Sequence, residues 1–174
     1  MLFKYIMALM AVCFISTTCL GEELEINADQ RLLEHSGEDA QVPVGTTLST
    51  FSFNDMNEQN YHVGEDQKIA FVFLSTSCPL AKRYTQRLNR MHKKYAEQGV
   101  AVLGVFSNSE DDRDEVIAHA KDMSFDFPVV KDTDGYLAKR LGGTMTPQTV
   151  LVDDAGVIRY RGAIDDNRYE NRVK

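Results

Sequence analysis

Tryptophan is absent from this chain of 174 residues, and cysteine and proline are scarce, with three and four residues. Two of the cysteines, Cys13 and Cys19, lie close to the N-terminus, so Cys78 has no partner cysteine in the rest of the sequence. That scarcity excludes a small scaffold held together by disulfides. Hydrophobic residues make up 43% and charged residues 26% of the chain, which is typical of a single globular domain.

Basic side chains are also fewer than acidic ones. The 19 Lys and Arg side chains are outnumbered by 26 Asp and Glu side chains, which gives a formal net charge of −7. A surface of this sign repels phosphate backbones and anionic lipids. We therefore expect no nucleic-acid partner and no peripheral binding to membranes.

The N-terminal segment has the pattern of a targeting signal. Lys4 comes first, an apolar stretch from Tyr5 to Ile15 follows, and small residues precede the first acidic residues. This pattern predicts a signal peptide over residues 1–21 and an exported protein, periplasmic or otherwise extracytoplasmic. The alternatives are an uncleaved membrane anchor or a lipid attached at Cys19, and only a retained signal segment would bring the chain to a membrane.

The remaining sequence is expected to form a polar extension over residues 22–42 and one domain over residues 43–174. In the domain, continuous apolar runs predict buried strands, and apolar residues at helical spacing predict helices. The predicted elements are, in order, strands Leu48–Phe53, Gln59–Val63 and Ile69–Leu74, helix Pro79–Gln98, strand Val100–Phe106, a helix from Ser109, strand Phe127–Val130, helix Gly135–Leu141, and strands Thr149–Val152 and Val157–Arg161. This order predicts an α/β fold with a central mixed sheet flanked by helices and an N-terminal β-hairpin.

The helix from Ser109 begins with a run of acidic residues. The letters "SEDD" put an acid three residues after the serine, which is typical of a helix N-terminus. We interpret the run "EDDRDE" as a solvated first turn and not as a binding site. Val116, Ile117 and Ala120 are expected to form the apolar face of this helix.

Cys78 lies at the junction between a predicted strand and a predicted helix. With Pro79 in the first helical position, the thiol would occupy or adjoin the N-cap, where unpaired N–H groups and the helix dipole stabilise a thiolate. Lys82 and Arg83 follow one turn later and would add to this effect. We therefore interpret Cys78 as a reactive thiol. The alternative is a small apolar residue buried at a strand end.

A Thr-Pro pair carries a second signal. Thr146 and Pro147 come immediately before a predicted strand, where proline cannot donate a ladder hydrogen bond and a cis peptide bond is tolerated. Such a bond would turn the preceding N–H and C=O groups outward. These groups would then be able to pair with an extended substrate chain.

Together these features resemble the thioredoxin superfamily, and within it the redoxin branch that includes the alkyl hydroperoxide reductase/thiol-specific antioxidant family. The resemblance extends from Pro43 to Asp166 and includes the strand–Cys–Pro–helix junction and the closing segment "TPQTVLVDDAGVIRYRG". It implies a thioredoxin-like fold in a single-cysteine member of the branch.

The resemblance also implies roles for individual residues. Cys78 would be the nucleophile, Pro147 the cis-proline, and Ser75 of the "SxxCP" motif would contact the thiolate. The residues implied for substrate binding are Pro79, Thr146 and Arg161.

The sequence departs from the family pattern at several positions. Ala81 stands where thioredoxins have their second cysteine, and Ser77 and Val72 replace their tryptophan and buried carboxylate. The arginine that peroxiredoxins carry near the strand after the loop is missing, so Arg159 or Arg161 would have to polarise a peroxide, although both are expected to face solvent. The closing helix of the superfamily is short or missing, or the sequence is a fragment of a longer chain.

The resemblance implies an exported antioxidant oxidoreductase that needs no cofactor. The Cys78 thiolate would reduce hydroperoxides and be regenerated by an external thiol. Two alternatives stay open. One is a monothiol protein that exchanges disulfides with its substrates, and the other is a redox-inert module that binds peptides beside Pro147.

The four histidines show no metal-ligand pattern. None of His35, His62, His92 and His119 is spaced from Cys78 as the ligands of one site would be. We therefore expect no metal site. We interpret His92 and His119 as exposed helix residues and His62 as a hairpin residue.

Overall fold

Seven strands and three helices are present in residues 42–165, the part of the chain that the computed structural model describes. The predicted signal peptide, nearly all of the polar extension and residues 166–174, where the closing helix would lie, are outside the described residues. The elements are β1 (Phe51–Asn54), β2 (Asn60–Val63), β3 (Lys68–Phe73), α1 (Pro79–Ala96), β4 (Val100–Phe106), α2 (Arg113–Asp122), β5 (Val129–Lys131), α3 (Tyr136–Leu141), β6 (Gln148–Val152) and β7 (Ile158–Gly162). Within residues 42–165, no helix has both the length and the apolar character that a membrane span needs.

Five of the strands form one sheet in the order β5-β4-β3-β6-β7. Strands β3, β4 and β5 run parallel, whereas β6 is antiparallel to β3 and β7 is antiparallel to β6. Phe71 lies near the centre, opposite Leu103 on one side and Val150 on the other. The predicted mixed sheet is confirmed, and the predicted N-terminal hairpin forms a separate sheet of β1 and β2.

The central strand β3 is buried on both faces, as its continuous apolar sequence predicts. After the exposed Lys68, every residue from Ile69 to Phe73 is buried. Alternate side chains enter two core clusters, one packed against α3 and the other against α1 and α2. The C-terminal end of β3 is therefore fixed by packing from both sides.

Helix α1 begins where predicted and ends two residues before the predicted Gln98. Its apolar stripe is confirmed: Tyr84 and Leu88 are buried against the sheet, and Met91 and Tyr95 further along are half-buried. The turn that follows closes at Gly99, whose φ of 73° lies in the left-handed region that glycine adopts without strain.

Helix α2 begins four residues later than predicted, at Arg113 instead of Ser109. The N-cap is Asp112, whose carboxylate accepts a hydrogen bond from the Glu115 N–H at 2.7 Å. Both Ser109 and Asp112 satisfy the local capping pattern, so the sequence alone did not distinguish them.

The predicted apolar face of α2 is partly wrong. Val116 is fully buried, but Ile117 is 48% exposed and Ala120 is only half-buried. Neighbouring residues of a helix point about 100° apart, so Val116 and Ile117 cannot both face the sheet. The contact of α2 with the sheet is therefore narrower than the sequence pattern suggested.

The hairpin of β1 and β2 covers the α3 side of the core. Its first strand begins at Phe51, three residues after the predicted Leu48, because the Leu48 N–H pairs instead with the turn between β6 and β7, at 2.9 Å. The Phe53 ring lies 5.5 Å from the Tyr61 ring and 5.6 Å from the Phe71 ring. These aromatic contacts join the hairpin to the central strand.

The other predicted elements are present with boundaries no more than two residues from the predicted ones, and those of β4 are unchanged. The turn of the closing hairpin is organised by Asp153, whose Oδ1 accepts hydrogen bonds from the N–H groups of Ala155 at 3.0 Å and Val157 at 2.8 Å. The antiparallel pairing of β6 and β7 is interrupted by an irregularity between Leu151 and Val152. A single carboxylate thus fixes the turn between β6 and β7.

The prediction that His92 and His119 are exposed helix residues is wrong. Both are half-buried, and His119 packs edge-on against the rings of Phe106 and Phe125 at centroid distances of 6.2 and 5.6 Å. Burial lowers the pKa of His119, and the charge of Lys82 lowers it further. The carboxylates that oppose this shift are Asp111, Asp122 and Glu115.

We predict that His119 makes the fold less stable in mild acid. Its pKa is lower in the folded chain than the ordinary 6.5, so the unfolded chain binds the proton more tightly and stability is lost as the pH falls below that value. Urea unfolding at pH 7.5 and pH 5.5 should show a smaller loss for His119→Phe than for the unmodified protein. His62→Gln, a change at an exposed histidine, is the control. Equal losses in all three proteins would contradict the prediction.

Candidate active site

Cys78 occupies the N-cap of α1, as predicted. Its φ of −79° and ψ of 110° are extended, Pro79 begins the helix, and the Cys78 carbonyl accepts a hydrogen bond from the Lys82 N–H at 3.3 Å. The first turn contains no acidic residue, and the Cys78 side chain makes no capping hydrogen bond. Cys78 is half-buried between the exposed Ser77 and Pro79. Stabilisation of a thiolate by this helix end stays a prediction.

The structure brings Cys78 together with Thr146 and Pro147. The Thr146–Pro147 peptide bond is cis, as the sequence suggested, and the Cys78 thiol donates a hydrogen bond to the Thr146 carbonyl oxygen with an Sγ–O distance of 3.5 Å. Antiparallel pairing places Phe73 at the end of β3 opposite Gln148 at the start of β6. The loop after β3 and the loop before β6 therefore meet at the same end of these two strands.

Ser75 lies close to Cys78 but uses its hydroxyl elsewhere. The Ser75 Oγ is 3.0 Å from the Ser77 Oγ and accepts a hydrogen bond from the Ser77 N–H at 3.3 Å. Ser75 meets Cys78 through its backbone carbonyl, which accepts from the Cys78 N–H at 3.3 Å. Ser75 is only 1% exposed, and its hydrogen bonds shape the loop. The motif implied instead that its hydroxyl would contact the thiolate.

Arg161 is not placed beside the thiol in this structure. It lies opposite Val150 on β7, and its guanidinium donates to the Leu141 carbonyl at the end of α3 at 2.8 Å. Val150 and Leu141 belong to the core cluster on the α3 side of the sheet, whereas Cys78 packs against the cluster on the other side. Arg161 is half-buried, and burial lowers its pKa, so the expectation that it faces solvent is also wrong.

Arg159, the other basic side chain near the end of the chain, also has a partner. It is exposed and pairs with the Asp153 carboxylate, with 2.5 Å between Nε and Oδ2. Neither arginine of β7 is therefore positioned by its described contacts to polarise a peroxide at Cys78.

A buried carboxylate that the sequence analysis missed supports the loop before Cys78. Asp111 is 2% exposed, and its Oδ1 accepts hydrogen bonds from the Thr76 hydroxyl at 2.5 Å and the Thr76 N–H at 3.3 Å. The Thr76 hydroxyl also lies 3.1 Å from a Glu115 carboxylate oxygen. Asp111 and Glu115 belong to the acidic run that was interpreted as solvated. Only its pairing with Thr76, 35 residues earlier, explains the burial of Asp111.

Two further buried side chains fix the surroundings of the site, Gln148 beside the loop before Pro147 and Asp132 at the start of α3. Gln148 accepts a hydrogen bond from the Thr144 N–H at 2.9 Å. Asp132 accepts from the N–H groups of the first turn of α3 and from the Ser107 hydroxyl, the last at 2.8 Å. Both loops that border the thiol are thus fixed by polar groups that have little access to water.

A cavity of about 400 Å³, called here the Thr146 cavity, opens beside this loop. It is lined by residues 73–74 at the end of β3, 107–108 after β4, 138 on α3, and 143–146. Within residues 42–165, no three His, Cys, Asp or Glu side chains are grouped so that they could hold a metal ion. The site therefore consists of one thiol, one cis-proline loop and one adjoining cavity.

Comparison with known proteins gives a consistent result. The AhpC/TSA family pattern matches residues 40–161. The chain is 36% identical over 103 residues to the thiol:disulfide interchange protein DsbE of Escherichia coli K12, which covers 58% of this chain and 52% of that protein. It is 30% identical over 149 residues to DsbE of Vibrio cholerae serotype O1, which covers 80% of this chain and 78% of that protein.

A similar structure has also been solved. It is the thioredoxin domain of a thiol-disulfide oxidoreductase from Bacteroides vulgatus, with a TM-score of 0.61, 14% identity, and coverage of 74% of this chain and 94% of that domain. The predicted thioredoxin-like fold is thus confirmed. The chain spans about half the length of the Escherichia coli relative.

We predict that Thr76→Val destabilises the fold by about 1–3 kcal/mol, because it leaves the buried Asp111 carboxylate without its hydroxyl donor. Thr133→Val is the control, since Thr133 is exposed and its replacement should change stability by less than about 0.5 kcal/mol. Urea unfolding of the two variants measures the difference. Equal unfolding free energies would show that the Thr76–Asp111 contact contributes nothing.

Proposed function

The chain belongs to the AhpC/TSA family, and we propose that it is a thiol-disulfide oxidoreductase in which Cys78 alone exchanges disulfides with its substrates. The observation that carries this proposal is the 3.5 Å contact between the Cys78 sulfur and the Thr146 carbonyl. It places a partly accessible thiol next to backbone that a substrate chain can reach.

The exchange proceeds through one mixed disulfide. The Cys78 thiolate attacks one sulfur of the substrate disulfide, a bond forms between Cys78 and that sulfur, and the other substrate sulfur leaves as a thiolate that takes a proton from water. A thiolate from an external thiol then attacks the substrate sulfur of the mixed disulfide. A bond forms between the external sulfur and the substrate sulfur, and Cys78 leaves as a thiolate. Two external thiols consumed in this way reduce one substrate disulfide completely.

Release by an external thiol follows from the sequence around Cys78. The position three residues later is Ala81, which is 5% exposed and packs in the core cluster on the α1 side. A methyl group there cannot attack the mixed disulfide, so this helix supplies no second thiol. The partners required are therefore a disulfide substrate and an external thiol reductant.

The Thr146 backbone supports the substrate contact. Its carbonyl faces the Cys78 sulfur, and among residues 42–165 no group accepts a hydrogen bond from the Thr146 N–H. An extended substrate chain can pair with this free N–H as a strand pairs at a sheet edge. This arrangement brings a substrate disulfide to the sulfur in a defined orientation.

Disulfide exchange is better supported than the hydroperoxide reduction that the sequence analysis favoured. The curated relatives carry the name thiol:disulfide interchange protein. Ser75, which was expected to contact the thiolate, is bonded to Ser77. The two arginines that could have polarised a peroxide, Arg159 and Arg161, are bonded to the Asp153 carboxylate and to the Leu141 carbonyl. A peroxide bound at Cys78 would therefore lack the arginine expected to polarise it.

The proposed site of action is outside the cytoplasm. The support for it is the signal-peptide pattern of residues 1–21. That location suits the chemistry, because protein disulfides persist in oxidising compartments.

We predict that Cys78→Ser abolishes exchange, because the serine hydroxyl is not a thiolate nucleophile under these conditions. Turnover of cystine with dithiothreitol should fall to the rate without protein, while Cys19→Ser, which changes a thiol outside the domain, keeps the original rate. Mass spectrometry should detect a Cys78 mixed disulfide in the unmodified protein. Turnover by Cys78→Ser at the original rate would reject the proposal.

Mass spectrometry of Cys78 also separates the alternative functions. Gain of one oxygen at Cys78 after one equivalent of hydroperoxide, without any mixed disulfide from cystine, would indicate a peroxidase. A thiol that reacts with neither oxidant would indicate the redox-inert binding module.

A further inference from the structure

Helix α1 is basic in an acidic protein. Six of the 19 Lys and Arg side chains of the chain lie on this helix, and none of the 26 Asp and Glu side chains does. All of them except the half-buried Arg87 are exposed. This set, called here the basic face of α1, consists of Lys82, Arg83, Arg87, Arg90, Lys93 and Lys94. The helix that begins at the thiol thus reverses the sign of a chain whose net charge is −7.

The charges nearest to Cys78 are not neutralised by the fold. Further along the helix, the Lys93 ammonium pairs with the Asp126 carboxylate at 2.6 Å. By contrast, the side chains of Lys82 and Arg83 form no ion pair and no hydrogen bond with any residue of the described range 42–165. Their positive charge is therefore available to a molecule that approaches the sulfur.

Part of the basic face forms a stripe that leads away from the thiol. The spacing i, i+4, i+7 and i+11, which places residues on one side of a helix, is occupied by Arg83, Arg87, Arg90 and Lys94. At a rise of about 1.5 Å per residue, the stripe begins about 7.5 Å from Cys78 along the axis and is about 16 Å long. Arg87 is paired with a carboxylate of the fold, and the other three side chains are exposed. A surface of this length exceeds the reach of a small thiol and suits a protein.

The chain on the other side of the thiol has the opposite charge. Thr76, two residues before Cys78, is bonded to the buried Asp111, and the other carboxylates of the acidic run 110–115 are exposed. Nucleic acid and anionic lipid surfaces are negative throughout, so α1 would attract them while this run repels them. A protein can present carboxylates to α1 alone. The two signs therefore favour a protein partner, held in one orientation.

The exchange reaction shows what this partner has to bring. Ala81 is not a thiol, so an external thiol has to release Cys78 from the mixed disulfide. We propose that the basic face of α1 docks this external reductant, and that the reductant is a protein with carboxylates beside its reactive cysteine. This inference rests on the disulfide exchange proposed above and names the partner of its second step.

Docking on α1 brings the reductant sulfur to the mixed disulfide. The reductant thiol gives its proton to water, and its sulfur forms a bond with the substrate sulfur. The bond between that sulfur and Cys78 breaks, and Cys78 leaves as a thiolate. The reductant cysteine is thereby oxidised to a disulfide and Cys78 is reduced.

Peptides with one cysteine test the basic face. Three peptides of equal length carry glutamate, glutamine or lysine at the second to fifth positions after the cysteine. Each is added to the protein with mercaptoethanol disulfide-bonded to Cys78, and mass spectrometry of Cys78 follows the loss of this adduct. Each rate is divided by the rate of the same peptide with the free disulfide of mercaptoethanol, which removes differences in thiol reactivity.

We expect the normalised rate of the glutamate peptide to exceed that of the glutamine peptide by about tenfold or more at low salt, because opposite charges speed the encounter. At 1 M salt the two rates should agree within about twofold, since the screening length falls to about 3 Å. The lysine peptide should be the slowest. Equal rates of all three peptides at low salt would overturn the inference.

Charge reversals connect the preference to α1. Arg83→Glu should lower the glutamate-to-glutamine ratio to about two or less. Lys139→Glu makes the same change of charge at an exposed position of α3, on the opposite face of the sheet, and should leave the ratio unchanged. Any effect of a variant on the reactivity of Cys78 itself cancels in the ratio. If Arg83→Glu does not fold, Lys82→Gln tests the same point, and a ratio that neither variant lowers would contradict the proposal.

Three measurements test other occupants of the basic face. Glutathione should react more slowly than the glutamate peptide after the same normalisation, and an equal rate would favour a small anionic thiol. The protein should not sediment with phosphatidylglycerol vesicles, and sedimentation that Arg83→Glu abolishes would favour a membrane. In analytical ultracentrifugation, a dimer that Arg83→Glu dissociates would favour a second copy of the chain. Each of these three results would overturn the protein reductant.

A binding measurement separates this inference from the exchange function. The glutamate and lysine peptides with serine in place of cysteine are added to the unmodified protein, and the amide NMR signals of Lys82 and Arg83 are followed. Shifts with the glutamate peptide alone support the basic face even if Cys78 never exchanges a disulfide, which would reject only the exchange function. Exchange without shifts and without a preference among peptides would reject the basic face and keep the function.

Discussion

The antiparallel pairing of β3 with β6 is the contact on which the candidate site depends. Phe73 lies opposite Gln148, so the chain leaves β3 toward Cys78 at the same edge where it enters β6 from Pro147. A register shift of one residue would exchange the faces of every side chain on β6 and move the loop before it. The 3.5 Å contact between residues 68 apart in sequence is a consequence of this register.

Buried polar side chains make the two loops of the site precise. Asp111 holds Thr76 before the thiol, and Gln148 holds Thr144 before the cis-proline. These side chains have little access to water, so removing one partner would leave the other unsatisfied at a substantial cost in free energy. The loops gain their geometry from these bonds, because neither loop has a regular backbone ladder of its own.

Because Cys78 is the single thiol of the site, another molecule has to release the bound substrate. With the small, buried Ala81 in place of a second cysteine, the mixed disulfide persists until an external thiol reaches it. Binding of the substrate chain beside Thr146 would keep that intermediate in one orientation.

The sequence by itself determined the order of strands and helices, and it placed Cys78 at or beside an N-cap and Pro147 where a cis bond is tolerated, because each depends on signals within a few neighbouring residues. It did not determine which acid of the run before α2 caps that helix, or that Asp111 is buried on Thr76. Nor did it show that Arg161 turns to the Leu141 carbonyl, since strand alternation separates two faces without saying what covers each. Only the tertiary structure decided these points, and the Thr146 cavity with them. The partners of a buried polar group come from segments distant in the chain, and no local pattern of residues encodes their approach.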